Sequence, residues 1–448
     1  MRWMLNILYL SLLTLLSPFI VWRTVRHGRY RRGLSEKLFG RLTAPHDNKP
    51  VAWFHAVSVG EVIQLQKVVA EFRRQSGDCY SILITTSTDT GFDLARQRFS
   101  DCHITWFPLD FSWAVKNAVQ TIRPAIVCLM ELELWPNFLM ECESRGIPVA
   151  VVNARLSEKS HRRYQRVSAI LRPMFASLDL VAAQSVANGE RLLSLGVLPE
   201  RMHTTGSIKF DGVETKRDNP KTRSLRTLFG LSDRDLVLVA GSTQDPEESL
   251  ILECWKTLRK DCPALRLILV PRHKERFDEV ASAVEAQGFT VARRSQLDSP
   301  QFVPPNPSSR FAPPNHASPS VGLLDTIGEL GACWGLADIA FVGGSFGNRG
   351  GQNMIEPAAY GAAVMFGPNT WNFRDVVQIF KEADACRQLT SPEELSEALR
   401  QFLSNTSERQ ELGRKAQQTV LNQQGATSTT ARLLLQLVTP SSMKSKAA

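Results

Sequence analysis

The sequence predicts an α/β chain, with two Rossmann-like domains in tandem facing a central cleft behind an N-terminal membrane-anchor helix. Three observations carry that expectation. Short apolar runs rich in β-branched residues alternate with longer amphipathic stretches along nearly the whole chain, the pattern of βαβ units around a parallel sheet. The alternation breaks at a polar stretch, 211–235, and then resumes, giving two series. Ahead of both, residues 3–22 (WMLNILYLSLLTLLSPFIVW) carry no charge over 20 positions.

That apolar segment is long enough at helical rise to cross a hydrocarbon core, although Asn6, Ser11, Thr14, Ser17 and Pro18 weaken it. The Arg-dense stretch RTVRHGRYRRGLSEKLFGR follows, and the positive-inside rule puts everything after Arg23 in the cytoplasm. A cleaved signal peptide carries its charge ahead of the apolar run, so a signal anchor is favoured over an in-plane or re-entrant segment and over a buried helix. In the first series, 51–57, 81–86, 125–130, 147–152 and 178–183 read as strands buried on both faces, with helices at 61–75 and 185–195. The second series supplies strands at 235–240, 265–270, 289–292, 338–342 and 362–366. The expected organisation is an anchor (1–22), a basic juxtamembrane segment (23–50), a first domain (51–210), a hinge (211–235), a second domain (236–435) and a tail (436–448). Within the second domain, the Pro/Ser-rich insert 298–320 is expected to be disordered.

A chain of 448 residues exceeds one core. Its 53 Lys+Arg against 44 Asp+Glu give +9, which favours an anionic partner: nucleic acid, an anionic membrane face or a phosphorylated substrate. Eight cysteines between Cys79 and Cys386 form no CxxC pair and have no His at ligand spacing, so neither a zinc site nor a disulfide framework is signalled. They read as reduced, mostly core thiols.

In parallel sheets, chemistry gathers beyond the carboxyl ends of strands. There HAVSVGEVIQL sets Glu61 at a helix start, either as a capping acid or as a general base. LMELELWPN sets Glu131 and Glu133 beyond a buried strand, to act on substrate or to cap the next helix. GSIKFD puts Lys209 close to the hinge, and LILVPRHKERF puts Arg272 directly after Pro271. Each basic residue taken alone reads as a surface charge. The densest signal is FVGGSFGNRGGQNMIEPAAYG, with five glycines in nine residues, a soft backbone that lets a ligand approach and commonly wraps a phosphate or a nucleotide, and then Glu356-Pro357 at a helix start. It lacks the spacing of a dinucleotide fingerprint, and GSTQDPEES is no Walker loop. Asn353 and Glu356 are placed to hold ribose hydroxyls while the helix N-terminus meets phosphate.

Taken together, SVGE, ELELWPN, NARLS, GSIKFD, GST followed by EES, PRHKERF, IGEL, the glycine stretch and GPNTWNF resemble the 3-deoxy-D-manno-octulosonic acid (Kdo) transferases of lipopolysaccharide synthesis, inverting glycosyltransferases of GT-B fold. The resemblance implies CMP-Kdo as donor and a lipid A precursor (lipid IVA) as acceptor at the inner face of the membrane. It implies no nucleic acid partner, no cofactor and no metal. Residue by residue it implies Glu61 as general base and Glu131 and Lys209 as transition-state stabilisers. It implies Pro271, Arg272, Ile327, Gly328, Glu329, Asn353, Met354, Ile355 and Glu356 as CMP-binding elements. Gln352, Asn369 and Gln244-Asp245-Pro246 stand where the family pattern usually has His, His and His-x-Gly. A nucleotide-sugar epimerase of the same fold and a catalytically lapsed CMP-binding membrane protein stay open as alternatives.

Overall fold

The computed structural model describes residues 2–27, 31–45, 47–297 and 320–438, and the chain divides into two units. Unit 1 holds Met1–Asp211 and Gln423–Ala448, and unit 2 holds Gly212–Asn422. Unit 1 carries a sheet of β1 (Val51–His55), β2 (Ser81–Thr86), β3 (His103–Trp106), β4 (Ile126–Met130), β5 (Val149–Ala154), β6 (Leu180–Ala183) and β7 (Met202–Thr204). Its order is β3-β2-β1-β4-β5-β6-β7, and every pairing is parallel. Unit 2 repeats the scheme with β8 (Leu236–Thr243), β9 (Leu265–Pro271), β10 (Thr290–Arg293), β11 (Ser320–Leu323), β12 (Ile339–Val342), β13 (Ala363–Phe366) and β14 (Arg387–Gln388). Its order is β10-β11-β9-β8-β12-β13-β14, again all parallel. In each sheet the first strand has its sequence successors on one side and a later crossover strand on the other, so each has one switch point: β1/β4 and β8/β12.

The ten expected strands all form. Four more were not expected: β3 and β7 are half exposed, β14 has two residues, and β11 is a short run after the Pro-rich segment. Strands facing apolar layers on both sides are legible because most of their positions are apolar. Trp53 thus packs with Phe138 and Val119, while its neighbour Phe54 packs on the opposite face with Phe72 and Val68.

Three boundaries differ from expectation. The chain from Gly212 belongs to unit 2 rather than to a free hinge. There the helix Pro220–Leu228, capped by the Asn219 side chain, buries Leu225 and is followed by buried Phe229. The last helix, Ala426–Val438, belongs to unit 1. Its Ala431 and Leu434 join the layer of Val68 and Phe72, and the Asp211 carboxylate accepts Gly425 N–H and Thr427 N–H at 2.6 and 2.5 Å. Residues 436–438 of the expected tail are therefore helical. Of the expected insert 298–320, residues 298–319 lie outside the described residues, as do 439–448, while Ser320 opens β11. All eight cysteines are free thiols; Cys128, Cys142 and Cys333 are buried, whereas Cys79 is exposed.

His55, at the end of β1, is fully buried against Phe107, with ring centroids 3.9 Å apart. Its Nδ1 lies 3.1 Å from the Thr85 carbonyl oxygen. Burial holds the ring neutral, with its pKa pushed down to about 3. A base depressed in the folded state stabilises above its unfolded pKa, here 6.5, and that contribution is lost as pH falls toward the folded value. Between pH 7 and 5 this group alone is expected to cost about 2 kcal/mol. His55→Leu should flatten that acid limb in urea melts; an unchanged slope would assign it to other groups.

Candidate active site

In unit 1 the switch point collects carboxylates. Ser58 caps the helix Val59–Ser76 by accepting Glu61 N–H at 3.3 Å. Glu61 folds back over the same turn: its Oε2 accepts Val57 N–H at 2.9 Å and its Oε1 accepts the Ser58 hydroxyl at 2.7 Å. This is capping-box geometry, so the carboxylate is held in one rotamer. Burial raises the Glu61 carboxyl above its ordinary range and Glu131 adds to the push, while the donors from Val57 and Ser58 oppose it. Glu133 is raised likewise, by burial and by the charge of Glu61. Glu131 follows β4 with φ +54, an uncommon conformation for a residue with a side chain, and pairs with Arg155 at 3.3 Å.

Lys209 also belongs to unit 1, on the 3-10 turn Ile208–Phe210. That turn is tied to Glu61's helix by Asn153, a buried residue at the end of β5 with φ +55. Asn153 Oδ1 accepts Ile208 N–H at 3.2 Å, and its Nδ2 donates to Gln64 Oε1 at 2.7 Å. Asn153 and Gln64 were not singled out from sequence, although NARLS contains the first.

In unit 2 the switch point is filled from within. Glu247 opens the helix Glu247–Leu258 and is 1% exposed. Its Oε1 accepts Ser345 N–H (2.8 Å) and Phe346 N–H (3.0 Å). Its Oε2 accepts Gly344 N–H (2.7 Å) and Gln244 N–H (3.0 Å). Burial raises this carboxyl while the four backbone donors oppose the rise. The glycines serve this internal anion: a Cβ on Gly343 would lie 2.8 Å from Glu247 Oε2, and Gly344 has φ +66. The expectation that this loop cradles a ligand phosphate is therefore corrected for residues 344–346, whose N–H groups are already bonded. Glu247 was visible only as part of EES.

The other donor-side candidates lie beyond the carboxyl ends of the same parallel sheet. Pro271 ends β9 and is buried; Arg272 donates its backbone N–H to the Thr243 carbonyl oxygen at 3.0 Å and exposes its side chain. After β11, Ile327 is 79% exposed, Gly328 has φ +91, and Glu329 is engaged by Arg294 (3.1 Å) and by the Thr326 hydroxyl. Asn353 donates to Glu356 Oε1 at 2.9 Å and accepts Ile355 N–H at 3.1 Å. Met354 and Ile355 are buried, so only their backbone is available to a ligand. The helix they open, Ile355–Ala359, has five residues, too short for a sizeable terminal dipole. The three departures from the family pattern border one loop. A Cβ on Gly344 would lie 3.2 Å from Gln352 Nε2 and 3.6 Å from Gln244 Nε2. Asn369 Nδ2 donates to the carbonyl oxygens of Phe346 and Gly347.

Two parallel α/β units, each with its polar set at a switch point, are the architecture of GT-B-like proteins. A glycosyltransferase structure from Rickettsia africae shares the fold, with a TM-score of 0.53 and 12% identity over 88% of this chain and 100% of that one. Residues 31–212 match the family described as 3-deoxy-D-manno-octulosonic-acid transferase (kdotransferase), and residues 349–435 match one described as glycosyl transferase-like. A 3-deoxy-D-manno-octulosonic acid transferase of Haemophilus influenzae is 33% identical over 426 residues, 93% of this chain and 95% of that one. One of Bordetella pertussis is 31% identical over 430 residues, with the same coverage. The chain belongs to the Kdo transferase family of lipopolysaccharide synthesis.

Proposed function

We propose that this chain transfers Kdo from CMP-Kdo to a lipid A precursor, lipid IVA, by a single displacement that inverts the anomeric centre and needs no metal. The observation that carries the mechanism is Glu61, a buried carboxylate fixed at the switch point of unit 1 with its affinity for a proton raised. An acceptor hydroxyl is too weak an acid to ionise near neutrality, so a carboxylate takes its proton as the bond forms. The acceptor oxygen bonds to the anomeric carbon, the bond from that carbon to the phosphate oxygen breaks, and CMP leaves with the electron pair. Lys209 and Arg272 offset the charge gained by the phosphate, and Glu131 stabilises the positive character of the sugar. Pro271, Arg272, the segment 327–329 and residues 353–356 hold CMP, with Met354 and Ile355 acting through their main chain. The Arg-rich stretch after residue 22 keeps the enzyme at the anionic cytoplasmic face of the inner membrane, where a phosphorylated, acylated acceptor resides.

The test is incubation of detergent-solubilised protein with CMP-Kdo and tetraacylated lipid A precursor, without divalent metal, followed by mass spectrometry of the lipid. Increments of one or more Kdo units are expected, and they count the additions. CMP binding without any increment would favour the lapsed reading instead.

A further inference from the structure

We infer that the helix Arg2–His27 lies in the plane of one membrane leaflet, so that both of its ends stay on the side occupied by unit 1. This deepens the membrane part of the proposal above and rests on that part alone, not on the chemistry.

By length and composition the segment passes for a spanning helix, with Arg2–Phe19 apolar and almost wholly uncovered by protein. Its contacts say otherwise. The first two turns are latched to the body of unit 1 by polar groups on a single stripe, positions 2, 6 and 9. Arg2 Nη1 pairs with Glu141 Oε2 at 2.8 Å, and its Nη2 donates to the Met140 carbonyl oxygen at 2.8 Å. Asn6, 2% exposed, donates to the Ser112 hydroxyl at 2.7 Å and accepts Ser112 N–H at 3.0 Å. Tyr9 donates its hydroxyl to Asp110 at 3.0 Å and meets the Phe111 ring edge-on. These partners lie on or beside the helices Ser112–Ile122 and Pro136–Ser144, within the α/β body.

The other end returns to the same body. Arg32 pairs with Asp93 at 2.7 Å, and the helix Leu34–Phe39 sits near it, where Trp113 Nε1 donates to the Leu38 carbonyl oxygen. Between the two attachments, residues 10–22 form an apolar stretch whose described side chains unit 1 leaves exposed. Thirteen residues at helical rise reach about 20 Å, short of the roughly 30 Å hydrocarbon core. A crossing would also leave Arg2, Asn6 and Tyr9 across the bilayer from the groups they bond.

What remains is a helix whose first turns rest on protein through Arg2, Asn6 and Tyr9, while the described residues from Leu10 to Trp22 are exposed. Trp3 and Leu15 are 77% and 76% exposed, and Met4, Ile7, Leu8, Leu12, Phe19 and Trp22 share the outward surface. Two tryptophans flank the stretch, as interfacial anchors do. Arg23 and Arg26 stack on Phe19 and Trp22, which leaves their charge at headgroup depth. The exposed apolar surface, bordered by arginines, fits an anionic leaflet in contact with the helix.

The full chain carrying one short epitope tag ahead of Met1 and another after Ala448 tests this. Intact spheroplasts are treated with protease, and the treatment is repeated after lysis. Both tags are expected to survive in intact cells and to be lost together on lysis. Loss of the N-terminal tag alone from intact cells would establish a crossing and overturn the inference. Recovery of the chain in the soluble fraction at ordinary salt would overturn it too. This readout does not depend on turnover, so a failed transfer assay together with both tags on one side would sink the transferase reading and leave the in-plane helix standing.

Discussion

Glu61→Gln is expected to lower the rate of Kdo transfer at least ~100-fold while leaving CMP affinity largely intact. The carboxylate has two jobs in one geometry, and this substitution separates them. As a cap it needs an acceptor toward Val57 N–H, which the glutamine carbonyl oxygen still supplies, and a partner for the Ser58 hydroxyl, which can turn to accept from the glutamine amide. As a base it needs a charge and a place for a proton, which glutamine lacks. The melting temperature should therefore hardly move, whereas Glu61→Ala should lose both the rate and the ~1 kcal/mol typical of a lost cap. The pH profile gives a second readout. Only the ionised form can accept the proton, so the rate falls as pH drops through the Glu61 pKa. Burial and Glu131 place that limb above the ordinary carboxylate value of about 4.3. The glutamine variant should retain only a slow, limb-free background. Near-normal turnover with the limb intact would leave Glu61 as a helix cap and nothing more.

The place of Glu61, at a helix start beyond β1, was legible in the sequence because everything that defines it is local. A strand, a Ser-x-x-Glu and a helix start occupy a dozen residues, and the strand-end rule says where they stand. The fold was legible for a related reason: parallel strands covered on both faces write themselves as largely apolar runs, and nine of the ten expected strands are of that kind, β10 being an edge strand. β3, β7 and β14 escaped because edge strands need no such run. The last helix advertised its apolar stripe but not the sheet it covers, since periodicity carries no address; the Asp211 carboxylate that caps it precedes it by more than 200 positions. The same blindness hid Asn153, whose partners Gln64 and Ile208 are 89 and 55 residues away. It also turned the glycine loop into an apparent phosphate cradle. The loop is soft for the reason inferred, the approach of an anion to its backbone, but that anion is Glu247, nearly a hundred residues upstream.

Glu247→Gln is accordingly expected to destabilise unit 2 and to weaken donor binding. A carboxylate offers two acceptor oxygens to the four N–H groups of Gln244, Gly344, Ser345 and Phe346. Glutamine offers one acceptor, and its amide turns N–H against N–H at the other site. Leaving two buried donors unmatched costs roughly 1–3 kcal/mol each, which for a domain of this size lowers the melting temperature on the order of 10 °C. The loss should reach the donor because the same loop carries the chain into Asn353 and Glu356, and because Gln244 and Gln352 both lie against Gly344. The KM for CMP-Kdo is expected to rise on the order of 10-fold or more, about 1.4 kcal/mol for each factor of ten, with the KM for the lipid acceptor unchanged. Glu247→Asp keeps the charge but shortens the reach, and it should recover part of the stability and of the donor KM together. If the variant melts early yet binds CMP normally, Glu247 is a structural pin for the β8/β12 switch point alone. If neither quantity moves, the loop is held by Ser345, whose hydroxyl donates to the Val342 carbonyl oxygen and accepts Gly367 N–H, and the internal anion is dispensable.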